Sequence, residues 1–277
     1  MDRHGFALTI TQRKGGVGRS TLLFNLAGSL AKRGMKVCIA DLDPQASITQ
    51  LCLSPEATDV MPPARSVCAL LGDNFMDSAL DLVLPTDMPG VSIIPGSNAL
   101  AKFNFPEPEK TGDLQDALKE SVQDLRPQFD AILFDTPPSL ETLSWLPAVA
   151  ADVAITPTPA EPLAVQELTH SARFLERVRW ARNPRLSWLG VVLTMHQPKL
   201  AIHAAFEKQM REAYGALMFA GTVPYNVAFK EVAVARSPLA FYKPKGAPAK
   251  AIEALTTEIL GRVAMVRGGS IGEGVAA

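Results

Sequence analysis

The run GGVGRS, Gly15 to Ser20, lies between an apolar segment, FALTITQ (6–12), and a run of helical periodicity, STLLFNLAGSLAKRG (20–34). Gly15, Gly16 and Gly18 free the backbone so that its N–H groups can converge on one point. A helix opening directly afterwards aims its positive end at the same point. Strand, glycine loop and helix in this order describe a phosphate-binding loop. Leu22, Leu23, Leu26, Leu30 and Ala31 recur at helical spacing, and Gly34 is suited to end the helix. The segment KVCIADLD (36–43) reads as a second buried strand. Such a βαβ unit requires a parallel sheet with helices packed on its faces.

The same alternation continues along the chain. Further strands are expected at 91–97 (VSIIPGS), 129–135 (FDAILFD), 153–159 (VAITPTP), 189–195 (LGVVLTM) and 220–227 (AGTVPYNV). Helices are expected over 161–182, 203–215 and 248–266. No composition shift marks a boundary. The fold class is therefore α/β, a doubly wound and mostly parallel sheet with helices on both faces. Residues 1–266 form one nucleotide-binding domain, and 267–277 form a flexible tail.

Composition excludes several classes. No apolar run approaches the roughly 20 residues of a membrane span, and the opening MDRHGFALTI does not read as a secretory signal. Cys38, Cys52 and Cys68 form no CxxC pair, so reduced thiols are expected in place of a disulfide frame or zinc site. The four histidines, His4, His170, His196 and His203, show no triad or metal spacing and are expected on the surface. The net charge of −1 hides an asymmetry: residues 1–165 carry 12 basic and 20 acidic side chains, and residues 166–277 carry 15 and 8. A basic second half offers one surface that could meet a polyanion.

Two more motifs end strands. DLDPQAS (41–47) follows the second, and FDTPPS (134–139) follows a later one. With KGGVGRST (14–21), they give a chain that resembles the ParA/MinD family of deviant Walker A ATPases, most of all its ParA (Soj-like) partition and positioning branch. The likeness runs from about residue 6 to 263. It implies a P-loop NTPase fold, ATP and Mg²⁺ as ligands, and a homodimer closed through an ATP sandwich. By that resemblance Lys14, Gly15, Gly16, Val17, Gly18, Arg19, Ser20 and Thr21 bind the nucleotide, with Lys14 reaching the partner's phosphates. Ser20, Asp41 and Asp135 belong to the magnesium site. Asp43 positions the attacking water, and Lys14 and Arg19 complete the catalytic set. Pro137 and Pro138 form the γ-phosphate switch. Glu161 is matched to the ribose, and Pro224 and Asn226 to the adenine.

Arg19 departs from the family, which usually has lysine there. Arginine keeps the charge and binds phosphate, but its planar fork is larger. Phosphoryl transfer depends on positioning, so two outcomes stay open: slow hydrolysis, or a non-hydrolysing ATP-bound switch.

The resemblance also implies non-specific DNA binding. Arg173 and Arg177 fall on one face of the 161–182 helix with His170, and Lys199 and Lys230 add charge. Tyr225 and Ala228 stand where the family has arginines, which removes two such contacts. A ParB-like or cargo-adaptor protein is the expected activating partner, and a cytoplasmic, nucleoid-associated location follows. A MinD-type membrane helix is not expected, because the 261–277 tail is glycine-rich and lacks aromatic residues. An iron–sulfur role is set aside for want of cysteine pairs.

Overall fold

A computed structural model describes residues 5–72 and 78–268. Eight strands form one sheet: β1 (Phe6–Ile10), β2 (Val37–Asp41), β3 (Leu84–Pro85), β4 (Val91–Ile94), β5 (Ala131–Asp135), β6 (Val153–Pro159), β7 (Ser187–His196) and β8 (Met218–Pro224). Their order is β3-β4-β2-β5-β1-β6-β7-β8. Every pairing is parallel except β3 with β4. The fold is the expected doubly wound α/β class. The principal helices are α1 (Arg19–Lys32), α2 (Ser47–Cys52), α3 (Pro55–Asp59), α4 (Cys68–Leu71), α5 (Ala117–Leu125) and α6 (Thr142–Ala150). They continue with α7 (Ala164–Ala181), α8 (Ala201–Tyr214), α9 (Ala228–Ala235), α10 (Leu239–Tyr242) and α11 (Ala247–Arg267).

Side-chain alternation along the buried strands sorts residues between two cores. Phe6, Leu8 and Ile10 of β1 join Leu22, Leu26 and Leu30 of α1 and Ile252, Leu255 and Ile259 of α11 on one face. Ala7 of β1, with Ile132 and Phe134 of β5, joins Leu118, Val122, Trp145 and Phe174 on the other. A smaller cluster seats Leu168 of α7 and Met210 of α8 against Val191 and Leu193 of β7.

The strands β1, β2, β4 and β5 are shorter than the sequence suggested. In β1, β2 and β4 the surplus residues at the carboxyl ends leave the ladder to build the site, where open α/β sheets carry their ligands, whereas β5 is shortened only at its amino end and still finishes at Asp135. The last helix reaches Arg267, one residue into the expected tail, and 269–277 lie outside the described residues. His4 lies outside them too. Cys38, Cys52 and Cys68 are free and buried. His196 corrects the surface expectation: it closes β7 at 4% exposure, and burial pulls its pKa down. Among the described residues, no helix is long and apolar enough to cross a membrane.

Candidate functional site

The glycine loop turns from β1 into α1 with Gly16 at φ 74° and Gly18 at φ 83°. This left-handed region is strained for most residues with a Cβ and favours glycine at both positions. Gly18 caps α1 without a side-chain bond, and no acidic residue stands in the first turn. The first N–H groups of the helix are therefore available to an anion. The loop is tied to its surroundings through its own carbonyls and flanks. The Thr194 hydroxyl donates to the Val17 carbonyl at 2.9 Å, and Gln12 Nε2 donates to the Pro157 carbonyl at 3.1 Å. A Cβ on Gly15 would stand 3.9 Å from Pro138 Cβ, so the Pro137–Pro138 turn lies against the loop.

Arg19 is 8% exposed and folds back on the loop. Its Nη1 donates to the carbonyls of Gln12 (2.9 Å) and Lys14 (3.0 Å), while Nε is buried without a partner. Burial lowers its pKa, against the opposing charges of Asp135 and Asp43. Guanidinium and both carboxylates thus share one small polar volume.

The three aspartates play different parts there. Asp41 and Asp135 face each other across paired strands and are both fully buried. Asp41 Oδ1 accepts from Asp43 N at 3.0 Å, and Oδ2 accepts from Thr49 N (3.1 Å) and Thr49 Oγ1 (2.6 Å). With both oxygens engaged, Asp41 shapes the loop that carries Asp43, whereas Asp135 is left open. Asp135 has no hydrogen-bond partner on either oxygen. Burial chiefly pushes its pKa up to about 6, even though Ser20, Arg19 and the Thr136 N–H favour the charge from nearby. A buried, unpaired carboxylate beside a serine hydroxyl and an uncapped helix end fits a divalent cation with a phosphate. Magnesium takes only one or two protein groups in such sites and fills its shell with water and phosphate oxygens. Asp43 is 6% exposed and holds Gln45 N through Oδ1 at 2.9 Å.

Lys14 and Glu161 form a direct ion pair, each side chain half-exposed. The glutamate expected at the ribose therefore holds the signature lysine in this conformation. Arg13 pairs in the same way with Glu167 of α7 at 3.0 Å. Sequence reasoning missed Thr49, Thr194 and Gln12, whose bonds bring the loop and strand ends into register. It also missed Met195, a non-glycine residue at φ 51° in the left-handed region, next to Gly18. A cavity of about 170 Å³ opens beside the loop, lined among others by Val17, Thr21, Met195, Pro224, Asn226 and Lys230. Pro224 and Asn226, the residues the resemblance matched to the base, and Lys230 thus line one cavity beside the loop. Arg173 and Lys199 are exposed without an ion-pair partner among the described residues. Arg177 is held by Glu109 and is less available than expected.

The AAA domain family profile matches residues 7–188. The chain is 30% identical over 259 residues to the chromosome partitioning protein ParA of Caulobacter vibrioides, covering 92% of this chain and 94% of that one. It is 31% identical over 257 residues to the chromosome-partitioning ATPase Soj of Thermus thermophilus, covering 92% and 96%. Among solved structures, cobyrinic acid a,c-diamide synthase of Mycobacterium smegmatis, with bound ATP analogue and magnesium, superposes with a TM-score of 0.78. That pair is 24% identical, over 92% of this chain and 94% of the other.

Proposed function

The chain belongs to the ParA/MinD family of ATPases, and from that premise we propose that it is a MgATP-dependent, dimerising ATPase that partitions or positions a cargo on DNA. The observation that carries this reading is the unpartnered Asp135 carboxylate beside Ser20 and the uncapped start of α1. ATP would lie with its phosphates in the loop 14–21 and its base in the cavity beside Pro224 and Asn226. Ser20 and Asp135 would hold magnesium, which supplies charge neutralisation on the phosphates. Asp43, held in place by Asp41, orients the attacking water. The water's proton passes towards its free carboxylate oxygen. Arg19 would supply positive charge to the phosphates through the guanidinium nitrogens not bound to the loop carbonyls, and Pro138 would lie beside the loop at Gly15.

Dimerisation would require Lys14 to give up its ion pair with Glu161 before it can meet a partner's phosphates. An exchange of one half-exposed carboxylate for a polyphosphate is favourable on charge alone. Lys14→Ala should therefore leave MgATP binding to the single chain within a few-fold and abolish the ATP-induced dimer, as read by light scattering. A dimer of normal affinity in that variant would remove the sandwich from this reading.

DNA binding is assigned to the exposed Arg173, Lys199 and Lys230, with Arg177 contributing only when it leaves Glu109. Three phosphate contacts per subunit would make binding steeply salt-dependent and indifferent to sequence. A ParB-like or cargo-bound adaptor would stimulate turnover. The location that fits is the nucleoid in the cytoplasm.

A second reading rests on Arg19. Its Nη1 is committed to two loop carbonyls, so the fork is not free to follow the phosphates as charge develops. In that case the protein binds ATP as a switch without turning it over. ATP turnover with Mg²⁺ and random-sequence DNA separates the two readings. The expected result is slow but measurable hydrolysis that rises about tenfold in Arg19→Lys, since small misplacements of a catalytic group cost this much or more. Binding without turnover in the parent, with turnover restored by lysine, would establish the switch.

A further inference from the structure

Helix α7 begins beside the glycine loop, where Glu167 pairs with Arg13, and runs away from it. Thirteen residues beyond Glu167, about 20 Å along the axis at the usual rise, it presents Trp180. This ring is 94% exposed, more than any other large apolar side chain among the described residues. The helix end beneath it is firmly held. Asn183 Nδ2 donates to the carbonyls of Ala148 (3.1 Å) and Ala151 (2.7 Å), and Val178 and Phe174 are buried in the core. The tryptophan therefore stands on a fixed platform.

The charges around it divide into two sets. Arg177 and Arg182 are occupied by Glu109 and Asp116. Arg179 and Arg185 are exposed and have no ion-pair partner among the described residues. We propose that this end of α7 is a docking surface for a protein partner. Its bound segment would lay an apolar side chain on the Trp180 ring and set carboxylates against Arg179 and Arg185. Tryptophan and arginine are among the side chains that most often carry interface energy, and an exposed tryptophan with free arginines beside it in sequence, at Arg179, and just past the helix end, at Arg185, supplies both. Glu176 lies one turn before Trp180 and separates it from Arg173. With Glu109 and Asp116 it interrupts the positive surface. A continuous polyphosphate would meet these carboxylates, whereas a peptide can space its own acidic groups to avoid them. The inference does not depend on the nucleotide reading, since Trp180 touches neither the loop nor its cavity.

The test uses the full chain and a fluorescein-labelled peptide of repeated Glu-Leu-Asp, read by anisotropy at low salt. Saturable binding is expected, weakened about tenfold by Trp180→Ala and similarly by Arg179→Ser with Arg185→Ser. A matching Lys-Leu-Lys peptide should not bind. The acidic peptide should also shield Trp180 from iodide quenching, while Trp180→Ala keeps the parent's melting temperature and ATP turnover. Failure of the acidic peptide to bind, or equal binding to Trp180→Ala, overturns the proposal. So does shielding of Trp180 by a DNA duplex or by phosphatidylserine vesicles but not by the peptide, which would hand the surface to nucleic acid or lipid.

Discussion

An Asp135→Asn variant is expected to lose ATP turnover by about a hundred- to a thousandfold, the scale of removing one preorganised electrostatic group from a reacting centre. In EDTA and without nucleotide, the same variant should be more stable than the parent by about 1–2 kcal/mol. Both effects have one cause. The carboxylate is fully buried with neither oxygen hydrogen-bonded, so without a bound cation its charge is a cost. Its folded pKa is raised to about 6, chiefly by burial. The folded chain therefore binds more protons than the unfolded chain between about pH 4 and 6, and its stability falls as pH rises through that window. Asparagine has the same shape and no charge, so this part of the fall disappears. Some of the gain is offset because Arg19 loses one of its two opposing charges. Urea titrations across pH, paired with nucleotide-binding measurements, check the prediction. A variant less stable than the parent, or one that still turns over ATP normally, would contradict the assignment of Asp135 as the metal-facing group.

Gly190→Ala should cost about 3 kcal/mol or more, from backbone strain and forced displacement together. Gly190 adopts φ 134°, and a Cβ there would fall 1.9 Å from the Leu217 carbonyl oxygen and 2.9 Å from Arg262 Nη1. The position follows a register shift in the pairing of β6 with β7. It is also where Arg262 staples the sheet: Nη1 donates to the Leu189 carbonyl at 2.6 Å and Nη2 to the Met218 carbonyl at 2.9 Å. The guanidinium lies 4.0 Å from the Phe219 ring centroid. Added bulk at residue 190 must displace the Leu217 backbone just before β8 and crowd this arginine as well. A fall in melting temperature of roughly 6–12 °C is expected for a domain of this size. A change of less than about 0.5 kcal/mol, the range of an ordinary surface substitution, would show that the strands adjust freely.

Much of the fold was legible because its signals are local. Near-continuous apolar runs in β1 and β5 mark strands buried on both faces, and Gly16 and Gly18 mark a loop that needs positive φ. Where the reading fell short, a distant residue decided the outcome. His196 looked like one of four surface histidines, yet it is buried at the end of β7 near Glu207 of α8. Arg177 looked like part of a free basic face, but Glu109 comes from a segment 68 residues earlier.

The site divides in the same way. The backbone requirements of the glycine loop, the helix that follows it and the strand-terminal aspartates are written in neighbouring residues, because torsion preference and hydrophobic periodicity act over a few positions. The occupation of each charge is not. Lys14 meets Glu161 across 147 residues, and Asp41 is closed off by Thr49 while Asp135, its neighbour across the ladder, is left open. Those outcomes depend on β5 lying between β2 and β1, and on β6 carrying Glu161 back to the loop. Pairing of charges follows distance in space, and that distance is set only when the strands take their order.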